Sequence, residues 1–434
     1  TLRLNEDLKP EFVGYQTLQA EARIKGLWHK TQWISKANEG DEVGVVLDRS
    51  PFYGESGGQI GDQGMIEGPR GALTVLDTKW TDDLLVHHVQ VKQGTVSVDD
   101  SVRATVDAGR RLKIARSHTA AHVLHWALRN VLGPETVQAG SLVELERVRF
   151  DFSSLGALYE EQQAKVERLV NERARCADDV KTSTMRVEEA KRIGALALFG
   201  ENYGRQVRVV SIGDYSKELC GGTHLSHTGL MGSFRIVAES SIAAGTRRIE
   251  ALVGEAAQER QRQEQRMLSE AARRLSRPAQ ELLQGLEELL EQLKRSEQQR
   301  KVLQTELARV EAKRLIGEAK QIHGVMFIAA ALKNADREVL AVMADAVRGA
   351  LNGDGVVVLA ASEGASKVSL VVAVTSALVK RLHAGDMLKA VAPLVQGSGG
   401  GRPEFAQGGG KDPSKITEAL KRTEELVRQA LERP

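Results

Sequence analysis

Arg110-Arg111-Leu112-Lys113-Ile114-Ala115-Arg116-Ser117-His118-Thr119-Ala120-Ala121-His122-Val123-Leu124-His125 continues through Leu132 and stops at Gly133-Pro134. Its apolar residues recur at helical spacing, and the closing Gly-Pro pair is a helix stop signal, so a helix is predicted over Arg110–Leu132. His118 and His122 stand four apart, which puts both imidazoles on one face of that helix, within reach of a single ion. Such a pair alone is more often core than ligand. A second cluster, Cys220-Gly221-Gly222-Thr223-His224, completes the pattern. Two glycines between a thiol and an imidazole let the backbone fold tightly enough for both to face one point. This turn is predicted to be flanked by strands. One Cys and three His form a soft to borderline donor set that suits one Zn2+ ion in tetrahedral geometry. His125 and His227 are expected to be structural or to support the ligands.

Upstream of the helix the period is two. Ala22–Lys30, Glu42–Asp48, Ala72–Lys79 and Leu84–Val91 alternate between turn clusters such as Asn38-Glu39-Gly40-Asp41, which predicts a small antiparallel β-barrel over residues 1–105. Residues 106–254 read as an α+β core. It holds the helix, a second one over Tyr159–Arg173, and strands at Arg205–Ile212 and Gly232–Ala238. Residues 255–320 are rich in Ala, Glu, Gln, Arg and Leu, with Pro278 as the one proline. Leu282, Leu286, Leu289 and Leu293, then Leu303, Leu307 and Val310, form a coiled-coil-like seam interrupted at Ser296 and Arg300. Acidic and basic residues mix along this arm, so it reads as a solvated spacer. Residues 321–434 read as a compact α/β domain with strands at Gly324–Ala331, Gly355–Ala361 and Val368–Thr375. Its helices are expected at Ala335–Leu351, Ser376–Pro393 and Ser414–Leu431, with a glycine-rich loop over Gln396–Asp412. The predicted fold class is α+β multidomain.

A net charge of +2 on 434 residues, with 41% hydrophobic residues, excludes disordered and polycationic classes. No apolar window is long enough to span a membrane. Two cysteines, Cys176 and Cys220, argue against a disulfide scaffold and for a reducing, cytoplasmic setting. The chain opens on Thr1 with no leader-like segment, and is expected to be processed or part of something longer.

The metal chemistry narrows by elimination. A metalloprotease helix needs Glu directly after the first His, where this chain has Thr119. A nucleotide deaminase needs a Pro-Cys-x-x-Cys pair, which is absent. A purely structural zinc stays open, because four protein ligands normally close the coordination sphere.

Taken together these residues resemble the editing half of the alanyl-tRNA synthetase family, whose HxxxH helix and CxxxH turn are matched by His118, His122, Cys220 and His224. Pro51-Phe52-Tyr53-Gly54-Glu55-Ser56-Gly57-Gly58-Gln59 is similar to that family's FYxESGGQ segment, and Gly245-Thr246-Arg247-Arg248-Ile249-Glu250-Ala251 to its GxRRIEA strand. Gly399-Gly400-Gly401-Arg402-Pro403 and Ala406-Gln407-Gly408-Gly409 resemble the glycine-rich signature of its C-terminal domain, shared with some DHH phosphoesterases. A DHH phosphoesterase itself is excluded, since that family's aspartate-histidine motifs are missing. The class II aminoacylation portion has no counterpart among these motifs. One departure stands out: the family's helix commonly carries Thr before the second His, where this chain has Ala121.

The resemblance implies a zinc-dependent deacylase that hydrolyses Ser-tRNA(Ala) and Gly-tRNA(Ala). A synthetic site sized for alanine cannot exclude glycine by size, and an added hydroxyl is penalised only modestly, so a second hydrolytic site is needed. By motif match, Gln138 and Gln59 are expected to act on the substrate's polar groups or to hold water, and Ser56, Gly57, Gly58 and Thr119 to line its pocket. Contact with tRNA is expected from Arg247, Arg248, Gly399, Gly400, Gly401, Arg402, Gly408, Gly409 and Lys411. The expected partners are tRNA(Ala), above all when misacylated, and a second copy through the helical arm and C-terminal domain. A freestanding editing protein and a non-catalytic tRNA-binding module with structural zinc are the competing readings.

Overall fold

The computed structural model describes residues 10–81, 83–197, 204–333, 335–364 and 366–432, so the first nine residues of the predicted barrel segment lie outside the described ones. The chain divides into two compact units, Thr1–Glu270 and Ala271–Pro434.

The first unit begins with a closed antiparallel barrel of six strands. These are Gln19–His29, Glu42–Leu47, Gly64–Gly68, Gly71–Thr81, Leu84–Ser97 and Ser101–Val106. Closure comes from the last strand, which pairs with both Gln19–His29 and Gly64–Gly68 and so removes the free edges. The alternation seen in the sequence becomes its core of Ile24, Leu27, Val45, Leu47, Ile66, Leu73, Val89 and Val91, all essentially fully buried.

The chain leaves the barrel at Asp107, whose side chain accepts the Arg110 N–H at 2.9 Å and caps helix α1, Ala108–Leu132. The Gly133 N–H closes the helix on the Arg129 carbonyl. From Ser117 to Leu128 nearly every side chain of α1 is buried, because the helix runs through the middle of the unit. It packs against a four-stranded antiparallel sheet ordered Gln138–Glu144, Arg147–Ser153, Thr246–Val253, Phe234–Ala243. Leu124, Leu128, Phe150 and Phe152 fill that interface, each burial contributing roughly 1.5–3 kcal/mol. Helix α2, Glu160–Cys176, packs on α1. Beside them lie a three-stranded sheet of Val180–Arg186, Gln206–Ile212 and Ser216–Leu219, and the short helix α3, Val187–Arg192. Helix α4, Glu255–Arg274, leads out of this unit.

In the second unit, α5 runs unbroken over Leu282–Gly317. Only Gly285, Ala308, Ala312 and Leu315 are buried along it, and the leucine seam at Leu286, Leu289, Leu293, Leu303 and Leu307 is exposed. A mixed six-stranded sheet follows, ordered Lys320–Ile322, Val325–Lys333, Gly355–Glu363, Lys367–Val374, Phe405–Gly410, Ser398–Gly401. Val356, Val358 and Ala360 face one core while Val357, Leu359 and Ala361 face another, which explains the continuous apolar runs. The second core includes the end of α5 and α6, Arg337–Ala350; the first includes α7, Ala384–Val391, and α8, Ile416–Glu432.

Two expectations need correction here. The single helix predicted over Ser376–Pro393 is broken into a short 3-10 turn, α7 and a second 3-10 turn beginning at Ala392. The glycine-rich segment predicted as a loop is instead a β-hairpin, with Gly399 opposite Gly408 and Gly401 opposite Ala406. A Cβ on Gly399 would stand 2.6 Å from the Gly408 Cα and 2.8 Å from Leu388 of α7. Close backbone approach therefore accounts for glycine at this position.

Candidate metal centre

Helix α1 presents His118 and His122 with their rings parallel, 5.4 Å apart between centroids. The Cys220–His224 turn meets them directly after the strand Ser216–Leu219, and a 3-10 turn at Thr228–Met231 precedes the next strand, Phe234–Ala243, where the sequence predicted one. One donor atom from each of His118, His122, Cys220 and His224 lies within 4.8 Å of all the others. Cys220 Sγ is 3.3 Å from His118 Nε2 and 3.4 Å from His224 Nε2. Tetrahedral zinc with ordinary Zn–S and Zn–N bonds separates such donors by about 3.5 Å. His122 Nε2 is buried and has no hydrogen-bond partner. A polar atom left in that state in the protein's interior is costly, and a metal ion at the centre of the cluster would satisfy it. The donor set fits a metal ion such as zinc.

Each imidazole is held from behind. His118 Nδ1 lies 2.6 Å from Gln59 Oε1, His122 Nδ1 lies 2.7 Å from Glu218 Oε2, and His224 Nδ1 lies 3.3 Å from Thr119 Oγ1. Such contacts fix which ring nitrogen carries the proton and leave Nε2 for the ion. Glu218 also takes His125 Nδ1 on its other oxygen at 3.0 Å. His125 thus supports the cluster from outside, as expected, while His227 is not among its donors.

The donors and Glu218 are strongly coupled by charge. Burial raises the Cys220 thiol pKa, but the surrounding imidazoles outweigh it and hold the group well below the usual range. Burial works against charging His122, yet Glu218 and Cys220 override it and push its pKa up to about 10. His224 is lowered to about 3, first by burial and then by the charge of His118. Burial opposes ionisation of Glu218, and the two histidines beside it nevertheless drive its carboxyl strongly down.

A cleft of about 290 Å3 opens over the cluster. Its lining includes Tyr53, Ser56, Gly57, Ala121, Gln138 and Arg208 alongside three of the four donors, His118, His122 and Cys220. Ser56 and Gly57 reach it from a tight turn in which Ser56 and Gln59 exchange backbone hydrogen bonds, with Gly57 and Gly58 at positive φ. Gln138 lines the cleft, and its amide donates to Ser141 Oγ at 3.0 Å. Gly222 must be glycine, since a Cβ there would collide with the His118 ring.

Other predicted residues lie elsewhere. Gln59 is fully buried: its carbonyl takes His118 Nδ1 and the Thr223 N–H, and its amide donates to Thr223 Oγ1. It holds His118 from behind and is not among the residues that line the cleft. Thr119 is likewise fully buried, bonding His224 and accepting the Leu225 N–H, and is not among the residues that line the cleft. Gly58 is not among the residues that line the cleft, and a Cβ there would stand 2.5 Å from the Ser141 carbonyl. Arg247 makes two hydrogen bonds to Glu239 and Arg248 two to Asp151, so both guanidiniums are committed within the sheet. In the C-terminal hairpin, Gly399, Gly400, Gly408 and Gly409 lie along the paired strands, while Arg402 and Lys411 are exposed at its ends. Sequence reasoning missed Glu218 and Arg208. Glu218 carried one weak signal, an acidic residue two positions before the cysteine.

Three family models match the chain: tRNA synthetases class II (A) over residues 3–110, the threonyl and alanyl tRNA synthetase second additional domain over 207–250, and the DHHA1 domain over 324–429. The first match ties the N-terminal barrel to a class II synthetase model, where the sequence motifs had offered no such counterpart. Alanine–tRNA ligase from Acetivibrio thermocellus is 44% identical over 99% of this chain and 49% of its own length. The enzyme of the same name from Pelotomaculum thermopropionicum is 43% identical over 97% of this chain and 48% of its own. The chain therefore spans about half the length of the curated relatives it matches. Among solved structures, the C-Ala domain from Aquifex aeolicus alanyl-tRNA synthetase aligns at 28% identity, covering 26% of this chain and 96% of that one, with a TM-score of 0.24.

Proposed function

The chain belongs to the alanyl-tRNA synthetase family, whose C-terminal half it matches, and from that premise we propose that it edits misacylated tRNA. The reaction is hydrolysis of the ester that joins serine or glycine to the 3′ end of tRNA(Ala). The observation that carries this reading is the cleft itself, which opens directly onto three of the four oriented metal donors.

An aminoacyl ester is already activated, so the site has to position a water and stabilise developing negative charge. His118, His122, Cys220 and His224 would hold the zinc ion, which supplies positive charge beside the ester when bound. Gln138 spends its amide on Ser141, which leaves its carbonyl to accept from a water or from the substrate's amino group. Ser56 and Gly57 are exposed in the cleft wall and offer a hydroxyl and an open backbone to the terminal adenosine and amino acid. No carboxylate occurs among the described lining residues, and Glu218 is engaged by two imidazoles, so water positioning outweighs general-base catalysis here.

In the second unit the exposed Arg402 and Lys411 are the cations best placed to meet tRNA phosphates, and the glycine hairpin serves as their scaffold. The uncovered leucine seam of α5 suits a homodimer contact. No described helix is long and apolar enough to cross a membrane, and we assign the protein to the cytoplasm, where tRNA is charged.

A second reading is favoured by the donor count: four protein ligands close a tetrahedral sphere, as in structural zinc sites, leaving a tRNA-binding module without activity. Deacylation of seryl-, glycyl- and alanyl-tRNA(Ala) decides between the two. Selective release of serine and glycine, lost on zinc chelation and in a folded Cys220→Ala variant, supports editing. Tight tRNA binding with no release of any amino acid refutes it.

A further inference from the structure

Half of the metal donors sit on a turn with two consecutive glycines, the residue with the greatest conformational freedom. Two clefts border this turn: the one over the cluster, lined by Cys220, Gly221 and Gly222, and a second of about 350 Å3, lined by Tyr15, Thr182, His224 and Ser226. Arg208 lines both. A metal-binding geometry needs its donors held to within about 0.5 Å, so a glycine-rich segment bordering two clefts depends on specific hydrogen bonds as well as packing.

Three successive carbonyls of the turn are taken by two side chains. Arg208 Nη1 donates to the Cys220 carbonyl at 2.8 Å and to the Gly222 carbonyl at 2.9 Å. The Tyr15 hydroxyl donates to the Gly221 carbonyl between them. The two side chains also hold each other, with Arg208 Cζ 4.2 Å from the centre of the Tyr15 ring. Tyr15 is anchored in turn: Phe12 packs edge-on against it with centroids 4.9 Å apart, and the preceding Gly14 carbonyl accepts from Arg111 Nη1 at 2.9 Å. Arg111 is buried, paired with Asp62, and lies on α1 two turns before His118. The helix that carries two ligands thus reaches, through Arg111 and Tyr15, the turn that carries the other two.

We propose that Tyr15 and Arg208 are positioning residues, a clamp that sets the Cys220-Gly221-Gly222 backbone for metal binding. The inference rests on reading the cluster as a metal centre. The clamp acts on affinity and ligand geometry through Cys220 and leaves the overall fold alone, because the turn remains tied at Thr223 to Gln59 and at the Cys220 N–H to the Arg208 carbonyl.

The test uses the full chain with Zn2+ and Co2+ as probes. Tyr15→Phe keeps the ring and deletes one carbonyl bond, Arg208→Gln deletes the cation, and Arg208→Lys restores the charge without the two-carbonyl fork. Affinity is read by competition against a chromogenic chelator, and geometry by the thiolate charge-transfer band of the Co2+ form. Removing partners outside the ligand set typically costs 10–100-fold in metal affinity. Tyr15→Phe is expected to weaken binding about 10-fold, Arg208→Gln more, with Arg208→Lys in between and the Co2+ band reduced in the same order. Wild-type affinity and spectrum in Tyr15→Phe and Arg208→Gln would overturn the clamp. Should Arg208→Gln fail to fold, Tyr15→Phe alone decides. If the unaltered chain takes up neither metal, the failure is that of the metal-centre reading, and the clamp falls with it.

Discussion

Glu218 offers the sharpest test of how the site is built. Its two oxygens take the Nδ1 protons of His122 at 2.7 Å and His125 at 3.0 Å, and all three side chains are almost fully buried. Glu218→Ala leaves two imidazole N–H groups in the interior without an acceptor. Each unsatisfied buried donor costs about 1–3 kcal/mol, so the loss for Ala is roughly 2–6 kcal/mol before any cavity cost. Glu218→Gln keeps one acceptor and turns an amide N–H toward the other imidazole, so it should lose about half as much. Metal affinity should fall in the same order, by the 10–100-fold typical when a histidine ligand loses its supporting carboxylate. Equilibrium urea unfolding of the metal-free chain measures the first quantity and chelator competition the second. A Glu218→Ala variant with wild-type stability and wild-type zinc affinity would refute the reasoning, since it would mean that neither imidazole depends on the carboxylate.

Other consequences are checkable in the same way. His87 is buried in the barrel, with Nδ1 2.9 Å from the Val45 carbonyl and Nε2 2.7 Å from Ser50 Oγ, and burial lowers its pKa to about 4. Because the folded pKa lies below the ordinary 6.5, its contribution is complete above pH 6.5 and is lost as pH falls toward 4, at about 1.4 kcal/mol per pH unit. Urea midpoints at pH 7 and pH 5 should show that slope in the wild type and lack it in His87→Gln; equal slopes would disprove it. Asp62→Asn breaks the buried pair with Arg111 and should cost about 3–5 kcal/mol in thermal or urea unfolding, against under 1 kcal/mol for removing an exposed partner such as Glu21 of the Arg103 pair. Gly399→Val forces a side chain between the hairpin strands and α7, and should destabilise the second unit by about 1–3 kcal/mol, read by hydrogen exchange of its sheet amides. If the leucine seam joins two copies, Leu289→Gln with Leu303→Gln should abolish concentration-dependent association in sedimentation while leaving the helix content unchanged.

The sequence by itself determined a good deal of this protein. Period-two alternation predicted the N-terminal barrel, because a strand with one face on a core must place apolar residues at every second position. The i, i+4 pair His118 and His122 and the close-spaced Cys220 and His224 identified the donor set, because short-range spacing maps directly onto local geometry. What surrounds those donors was decided only by tertiary structure. Glu218 meets His122 and His125 through contacts spanning more than ninety residues of chain, and Gln59 meets His118 across 59. No local period encodes such pairings, so the sequence could not show that Gln59 and Thr119 are buried against His118 and His224. The glycines of the C-terminal signature misled for a related reason. In sequence, consecutive glycines look like a loop, but here their missing side chains let two strands and α7 approach closely, a demand visible only once those partners are in place.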